Sequence, residues 1–431
     1  MKIGVVGLWH LGVVLSAGLS KIGYDIVAFD LDSKIISDIE SGHLPVDEPG
    51  VIELIKQFSQ GKKITFTSNP KDLSACEVIW VAYDTPVDDF DKGNYGRIIN
   101  EFKQISPWIS PEANIVISSQ LPVGSAKVIR NIIDIQILNN RIKIAVSPEN
   151  LRLGKAMDSL LNAERIIVGI EDLRPNQIQN DLFNSFNSKI IWMKIESAEM
   201  LKHALNSFLA TSITFMCEIS EICEKVGADA NEVMLGLKSD SRIGDKAYLS
   251  PGLGFAGGTL ARDVNYLKDQ IHRKSDKSVI SSLLESNNYN NKWVVRKIYE
   301  RYSDIQNFSI TFIGLTYTTG TNTLRRSSTV EMALDLARDG ARIYFHEEEE
   351  VTLPKEYAQT FNQVTEFVDN PDGTNILVIT KKLKLLQNTA QFGNILGKTN
   401  LIIDPYGYLR ESKDYRSFNH KYVSVGFNDK L

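Results

Sequence analysis

Short apolar runs alternate with stretches whose apolar residues recur every three or four positions. "KIGVVGL" reads as a buried strand, and "HLGVVLSAGLSKIG" after it has helical spacing that stops at Gly23. "DIVAFDLD" is a second apolar strand ending in acids. Further apolar strands recur at "EVIWVAY" (77–83), "NIVISS" (114–119) and "IKIAVS" (142–147), with helical patterns between them. Strands apolar along their whole length are covered on both faces, so this order predicts a parallel sheet between helix layers.

From Glu196 the pattern changes. "ESAEMLKHALNSFLATSITFMCEISEICEKVG" places Leu201, Leu205, Phe208, Leu209, Ile213, Met216, Ile219 and Cys223 at three- and four-residue steps. This predicts one long helix, roughly 45 Å, ended by Gly227. Asp229 to Glu232 reads as a capping box opening the next helix. After about Asn307 the α/β pattern returns in "FSITFIGLTY", a helix through "TVEMALDLARDG", and the strands "ARIYF", "NILVIT" and "NLIID". The expected fold is α/β in three parts: a Rossmann-type domain over 1–195, a long-helix domain over 196–303, and a C-terminal Rossmann-like domain over 304–431.

Composition narrows the field. The chain has 431 residues, 43% apolar and 23% charged, a globular balance too long for one ordinary core. A net charge of −5 without a dense Lys/Arg stripe argues against nucleic acid as a partner. Cys76, Cys217 and Cys223 form no paired framework and no CxxC, which fits a reducing cytoplasm. His10, His43, His203, His272, His346 and His420 have no ligand spacing, so no metal site is expected. The opening "MKIGVVGLWHLG" lacks a leader pattern and no later run is long enough to span a bilayer, so no membrane partner is expected. The run "EEEE" at 347–350 reads as a solvated loop or strand end. The long helix, left alone, would expose apolar surface, and a second copy of the chain would cover it.

Four places carry candidate chemistry. Gly7-Leu8-Trp9-His10-Leu11-Gly12 has the first and third glycines of a GxGxxG turn, with Trp9 at the second, between a strand and a helix. Asp30 ends the next strand, where a carboxylate accepts from a ribose 2′-OH and repels a 2′-phosphate, favouring NAD over NADP. A glycine-trimmed turn that binds nothing is the alternative. Glu149 in "SPENLRLGKA" lies just beyond an apolar strand, placed equally well for a ligand contact or a helix start. Lys202 and Asn206 share one face of the long helix, either as oxyanion donors or as a solvated pair. Last, "GLGFAGGTLARD" (252–263) is a glycine-rich loop that ends in Thr259, Arg262 and Asp263.

These pieces, in this order, resemble the UDP-glucose/GDP-mannose dehydrogenase family. The N-terminal turn, "LPVDEPG" (44–50), Thr85-Pro86, "LPVG" (121–124), "SPENLRLGKA", "SAEMLKHALNSF", "SRIG" (241–244), the glycine-rich loop and "TNTLRRSS" (321–328) carry the resemblance nearly to Gly407. It implies an NAD-binding N-terminal domain, a helical dimer core and a C-terminal domain that holds a sugar nucleotide. Those enzymes oxidise a sugar C6 alcohol twice, to a carboxylate. By position, the resemblance implies cofactor contacts at Gly7, Leu11, Gly12, Asp30, Thr85, Gln120, Arg262 and Arg325. It implies substrate contacts at Glu149, Leu151, Arg152, Lys202, Asn206, Tyr248, Gly252, Gly254 and Thr318, and at Arg242, which resembles an arginine reaching the neighbouring subunit's substrate.

The departures are specific. The family's loop ends in a cysteine nucleophile followed by lysine and aspartate, and here those positions hold Thr259, Arg262 and Asp263. Lys202, Asn206 and Asp263 match residues that serve the first hydride transfer, and Glu149 is kept. The threonine that helps orient water falls at Gln120, the phosphate-contacting lysine falls at Thr318, and Arg326 replaces an acid beside Arg325. A thiol of pKa about 8.5 is a few per cent ionised at neutral pH, whereas a threonine hydroxyl is not. The expected function is an NAD-dependent oxidoreductase acting on the CH–OH group of a nucleotide sugar, in the cytoplasm, in polysaccharide precursor synthesis, and stopping after two electrons. The alternatives are full oxidation to a uronic acid through Glu149-activated water, a redox-neutral epimerase using transient oxidation, and a non-catalytic NAD or sugar-nucleotide binding protein.

Overall fold

The computed structural model describes residues 1–86, 88, 93–149, 151–271, 278–317, 324, 327–365, 367–368, 370, 373–387, 389–411 and 421–427. They form two compact units, Met1–Leu205 and Asn206–Leu431.

The first unit is built on eight strands: β1 (Lys2–Val6), β2 (Asp25–Phe29), β3 (Ile64–Thr67), β4 (Val78–Val81), β5 (Asn114–Ile117), β6 (Lys143–Val146), β7 (Arg165–Ile170) and β8 (Lys189–Lys194). Their order is β3-β2-β1-β4-β5-β6-β7-β8, parallel except where β7 turns against β6. Alternate residues of one strand feed opposite layers. Ile3 and Val5 join one apolar cluster, Val6 the other, and Ile26 and Ala28 separate from Val27 and Phe29 in the same way. That two-sided burial is why these strands read as continuous apolar runs. Strand order reverses between β1 and β4, so the carboxyl ends there form the crevice where open α/β sheets bind ligands.

The long helix spans Ile195–Val226, 32 residues, and stops at Gly227, whose φ of 77° suits the left-handed helix end. Within the second unit its buried face is mostly small or polar, with Asn206, Ser207, Ala210, Thr214, Cys217, Ser220 and Cys223 around one large apolar residue, Met216. Its exposed face is apolar, with Phe208, Phe215, Ile222 and Val226 at 68%, 44%, 53% and 67% exposure. Phe208, one of the residues at helical steps, lies on this outer stripe. The next helix, Ala230–Ser239, is capped by Asp229, which accepts from the Asn231 amide at 2.9 Å. The reciprocal capping box lies elsewhere, at Asn176 and Gln179, opening the helix Gln177–Asn184.

Among the described residues the second sheet has six strands, β9 (Ser309–Ile313), β10 (Arg342–His346), β11 (Phe361–Gln363), β12 (Asn375–Ile379), β13 (Leu401–Ile403) and β14 (Tyr422–Val423), in the order β11-β10-β9-β12-β13-β14. All are parallel. The acidic run after β10 is not wholly solvated. Glu347 accepts from the amides of Leu315 and Thr316, both at 2.7 Å, and pairs with Lys381 at 3.0 Å, each side chain only 8% exposed. Burial pushes this carboxyl up, but the Thr316 amide, Lys381 and the Leu315 amide outweigh it and hold it below the usual range.

The N-terminal sheet repeats the device. Asp30, at the end of β2, accepts from the Leu8 amide at 2.8 Å. In each sheet an acid at the end of one strand secures the glycine turn after its neighbour.

Candidate active site

The turn after β1 is sterically committed to glycine. Gly7 has φ of 91°, and a Cβ added at Gly12 would fall 1.8 Å from the Gly7 carbonyl oxygen. Trp9, standing at the second glycine position, is the N-cap of the helix His10–Ile22, is 44% exposed, and puts no side chain on the first-turn amides. Those amides and the positive helix end suit a pyrophosphate. Asp30 is buried, takes the Leu8 amide on one oxygen and the Asp32 amide on the other at 3.0 Å, and each oxygen keeps a second lone pair for a hydroxyl donor. These residues fit an NAD cofactor.

His10 extends the turn. Its Nε2 lies 3.0 Å from Glu48, and the same carboxylate accepts from the amides of Gly154 and Ala156 at 3.0 and 2.7 Å. Burial pushes Glu48 up, and the amides with His10 more than offset it, so its carboxyl stays below the usual range. Glu48 thereby ties the glycine turn to the segment following Glu149. Glu48 lies in "LPVDEPG", where no local pattern marks it for this role.

Lys202 meets Glu149 within the first unit. Its Nζ donates to the Glu149 carbonyl oxygen at 2.5 Å and lies 3.8 Å from the carboxylate, with the lysine side chain 11% exposed. Glu149 also accepts from the Leu151 amide at 2.5 Å. Leu11, Glu149 and Leu151 share the lining of a small apolar cavity of about 80 Å³, while Arg152 is exposed. The Thr85 hydroxyl donates to the Gln120 carbonyl at 2.6 Å. Gln120 Nε2 lies 3.4 Å from His203 Nδ1, and His203 Nε2 lies 3.1 Å from the Leu121 carbonyl. A carbonyl only accepts, so Nε2 carries the proton and Nδ1 receives the amide. Glu199 accepts from the amides of Gly124 and Ala126 at 2.7 and 2.9 Å, closing the start of the helix Ser125–Gln136. Burial raises its carboxyl above the usual range. Glu199, Lys202 and His203 all come from the first turns of the long helix.

The glycine-rich loop belongs to the second unit. A Cβ at Gly254 would meet Asn287 Oδ1 at 2.4 Å, because the Asn287 amide group clasps the Phe255 backbone, accepting from its amide at 2.7 Å and donating to its carbonyl at 2.9 Å. The loop runs into the helix Gly258–Gln270, whose second residue is Thr259, exposed. One turn on, the buried Asp263 accepts from Asn206 Nδ2 at 2.5 Å, and Arg262 Nε lies 3.8 Å from the same carboxylate.

Thr259, Tyr248, Gly252 and Gly254 line one cavity of about 540 Å³, together with Tyr317, Tyr406 and Lys238. Arg242 is not in that lining; its guanidinium is exposed and forks onto Asp240 at 3.0 and 2.6 Å. Thr318, Arg325 and Arg326 lie outside the described residues, as do His272 and His420. The cysteines are buried. Cys217 donates to the Gly252 carbonyl at 3.4 Å, and burial pushes its thiol up to about 12 and that of Cys76 to about 11. Among the described residues no His/Cys/Asp/Glu group could hold a metal, and no helix is long and apolar enough to cross a membrane.

Comparison with known proteins places this geometry. Residues 1–187 match the NAD binding domain of the UDP-glucose/GDP-mannose dehydrogenase family, and residues 196–289 match its central domain. The chain is 32% identical to UDP-glucose 6-dehydrogenase YwqF of Bacillus subtilis over 94% of its own length and 93% of that protein's. It is 30% identical to UDP-glucose 6-dehydrogenase TuaD of the same organism, over 85% of this chain and 80% of TuaD. A UDP-glucose dehydrogenase from Pyrobaculum islandicum shares the fold, with a TM-score of 0.82, 22% identity and coverage of 99% and 98% of the two chains. The chain belongs to the UDP-glucose/GDP-mannose dehydrogenase family, NAD-dependent oxidoreductases acting on CH–OH groups.

Proposed function

We propose that the protein oxidises the CH–OH group of a nucleotide sugar by two electrons and stops at the carbonyl. The observation that carries this is Thr259, exposed in the cavity at the start of the helix Gly258–Gln270, where the family's nucleophile would stand. NAD, when bound, supplies the hydride acceptor. Lys202, with Asp263 and water, takes the hydroxyl proton, while Lys202 and Asn206 donate to the oxygen as charge develops on it. The products of that step are a carbonyl compound, NADH and a proton. A second oxidation needs a nucleophile to add to the carbonyl, giving a tetrahedral alkoxide whose existing carbon–hydrogen bond releases hydride to a second NAD as the carbonyl re-forms. A threonine hydroxyl at neutral pH does not ionise for this, and the nearby thiol of Cys217 is tied to Gly252 with its pKa raised to about 12.

Cofactor contacts at Gly7, Leu11, Gly12, Asp30, Thr85, Gln120, Arg262 and Arg325 follow from the family pattern, as do substrate contacts at Glu149, Leu151, Arg152, Arg242, Tyr248, Gly252, Gly254 and Thr318. The apolar stripe Phe208, Phe215, Ile222 and Val226 supports a homodimer through the long helix. The three-part division at 195/196 and 303/304, a cytoplasmic setting and a role in polysaccharide precursor supply belong to the same reading. A panel of sugar nucleotides with NAD, scored as NADH formed per sugar consumed, tests it.

A further inference from the structure

The cavity beside Thr259 has a one-sided chemistry. Its described lining holds four aromatic rings, from Tyr248, Phe255, Tyr317 and Tyr406, one lysine, Lys238, and no carboxylate. The three tyrosines are partly exposed, Tyr248 60%, Tyr317 41% and Tyr406 40%. Two are seated against the loop itself: a Cβ at Gly252 would strike the Tyr406 ring at 2.8 Å, and one at Gly257 would strike the Tyr317 hydroxyl at 2.5 Å. Tyr317 is further aimed by its hydroxyl, which donates to the Ala256 carbonyl at 3.4 Å. At about 540 Å³ the space lies in the range of ligand sites that take a small organic molecule.

Lys238 is half-buried in the last turn of the helix Ala230–Ser239. No ion pair or hydrogen bond engages its ammonium among the described residues. A partly desolvated cation without a carboxylate favours an anionic ligand, and aromatic faces favour a planar base. We infer that Lys238 is the residue that binds the diphosphate of a nucleoside diphosphate in this cavity, with the tyrosine faces receiving the base.

This rests on the sugar-nucleotide reading above and goes beyond it by assigning the charge contact to a lysine on the Ala230–Ser239 helix. A lysine serving only the carbonyl end of its helix would affect stability and would not distinguish a nucleotide from a nucleoside.

Calorimetric titration of the wild-type protein, Lys238→Met and Lys238→Arg with UDP, uridine, GDP and guanosine separates the cases. The expected result is diphosphate affinity reduced about tenfold to a hundredfold in Lys238→Met, the range for losing one charge-assisted contact. Nucleoside affinity stays within about twofold of wild type and Lys238→Arg recovers most of the loss. Wild-type binding of UDP or GDP that Lys238→Met leaves unchanged overturns the assignment of Lys238 and spares the sugar-nucleotide reading. An equal loss for nucleoside and diphosphate also overturns it. Wild-type protein that binds neither diphosphate overturns both.

Discussion

Lys202 donates to the carbonyl oxygen of Glu149 at 2.5 Å, with the Glu149 carboxylate 3.8 Å from the same ammonium. The lysine is thus held by backbone and flanked by an acid, on a helix whose next turn carries Asn206 bound to Asp263. Removing it should abolish most hydride transfer. Lys202→Ala is expected to slow NADH formation by about 10²–10³, the usual loss for one donor to a developing oxyanion. Retention of more than a tenth of the wild-type rate would show that Lys202 does not hold that oxygen.

Asp30 sets the choice of dinucleotide. Its buried carboxylate accepts from the Leu8 and Asp32 amides, which hold it in place where a 2′-phosphate would sit. NAD should bind at least about tenfold more tightly than NADP, one tenfold step being about 1.4 kcal/mol. Calorimetry giving equal affinities would defeat the assignment.

The apolar stripe of the long helix predicts its own cover. Phe208, Phe215 and Ile222 recur every seventh residue on the exposed face, a spacing suited to a partner helix. Sedimentation should give a dimer at micromolar concentration, and Phe208→Glu with Phe215→Glu should give a folded monomer. An active wild-type monomer would remove the dimer from the account.

Glu48 gives the site a pH signature. Its carboxyl is held below the ordinary range, so its contribution to stability is fully present above that range and fades as pH falls through the depressed value. Glu48→Ala strands the buried Ala156 amide, at about 1–3 kcal/mol for a buried donor left unpaired. The melting-temperature gap between wild type and Glu48→Ala should be largest near pH 7 and close as pH falls below about 4, the range of an ordinary glutamate and under. A gap that widens on acidification would contradict the assigned contacts.

Much of this was legible from apolar patterning. β1, β2, β4, β5 and β6 coincide with apolar runs read from the chain, because two-sided burial leaves no polar alternation to disguise them. β3 (Ile64–Thr67) and β11 (Phe361–Gln363) went unread because they are short edge strands with polar positions. The reversal of β7 against β6 depends on long-range pairing, which no local signal encodes. The roles of Glu48, His203, Glu199 and Glu347 were hidden for the same reason. Each is an ordinary polar residue in sequence, and acquires its meaning from backbone amides or carbonyls distant along the chain.

The central claim rests on Thr259, and the count of NADH formed per sugar nucleotide consumed tests it most directly. The measurement uses unmutated protein, saturating NAD, and hydroxylamine to trap the carbonyl product. The account predicts no more than one NADH per sugar and a trapped carbonyl compound, because a neutral hydroxyl at residue 259 cannot carry the second oxidation. Two NADH per sugar, with a uronic acid as product, would contradict it.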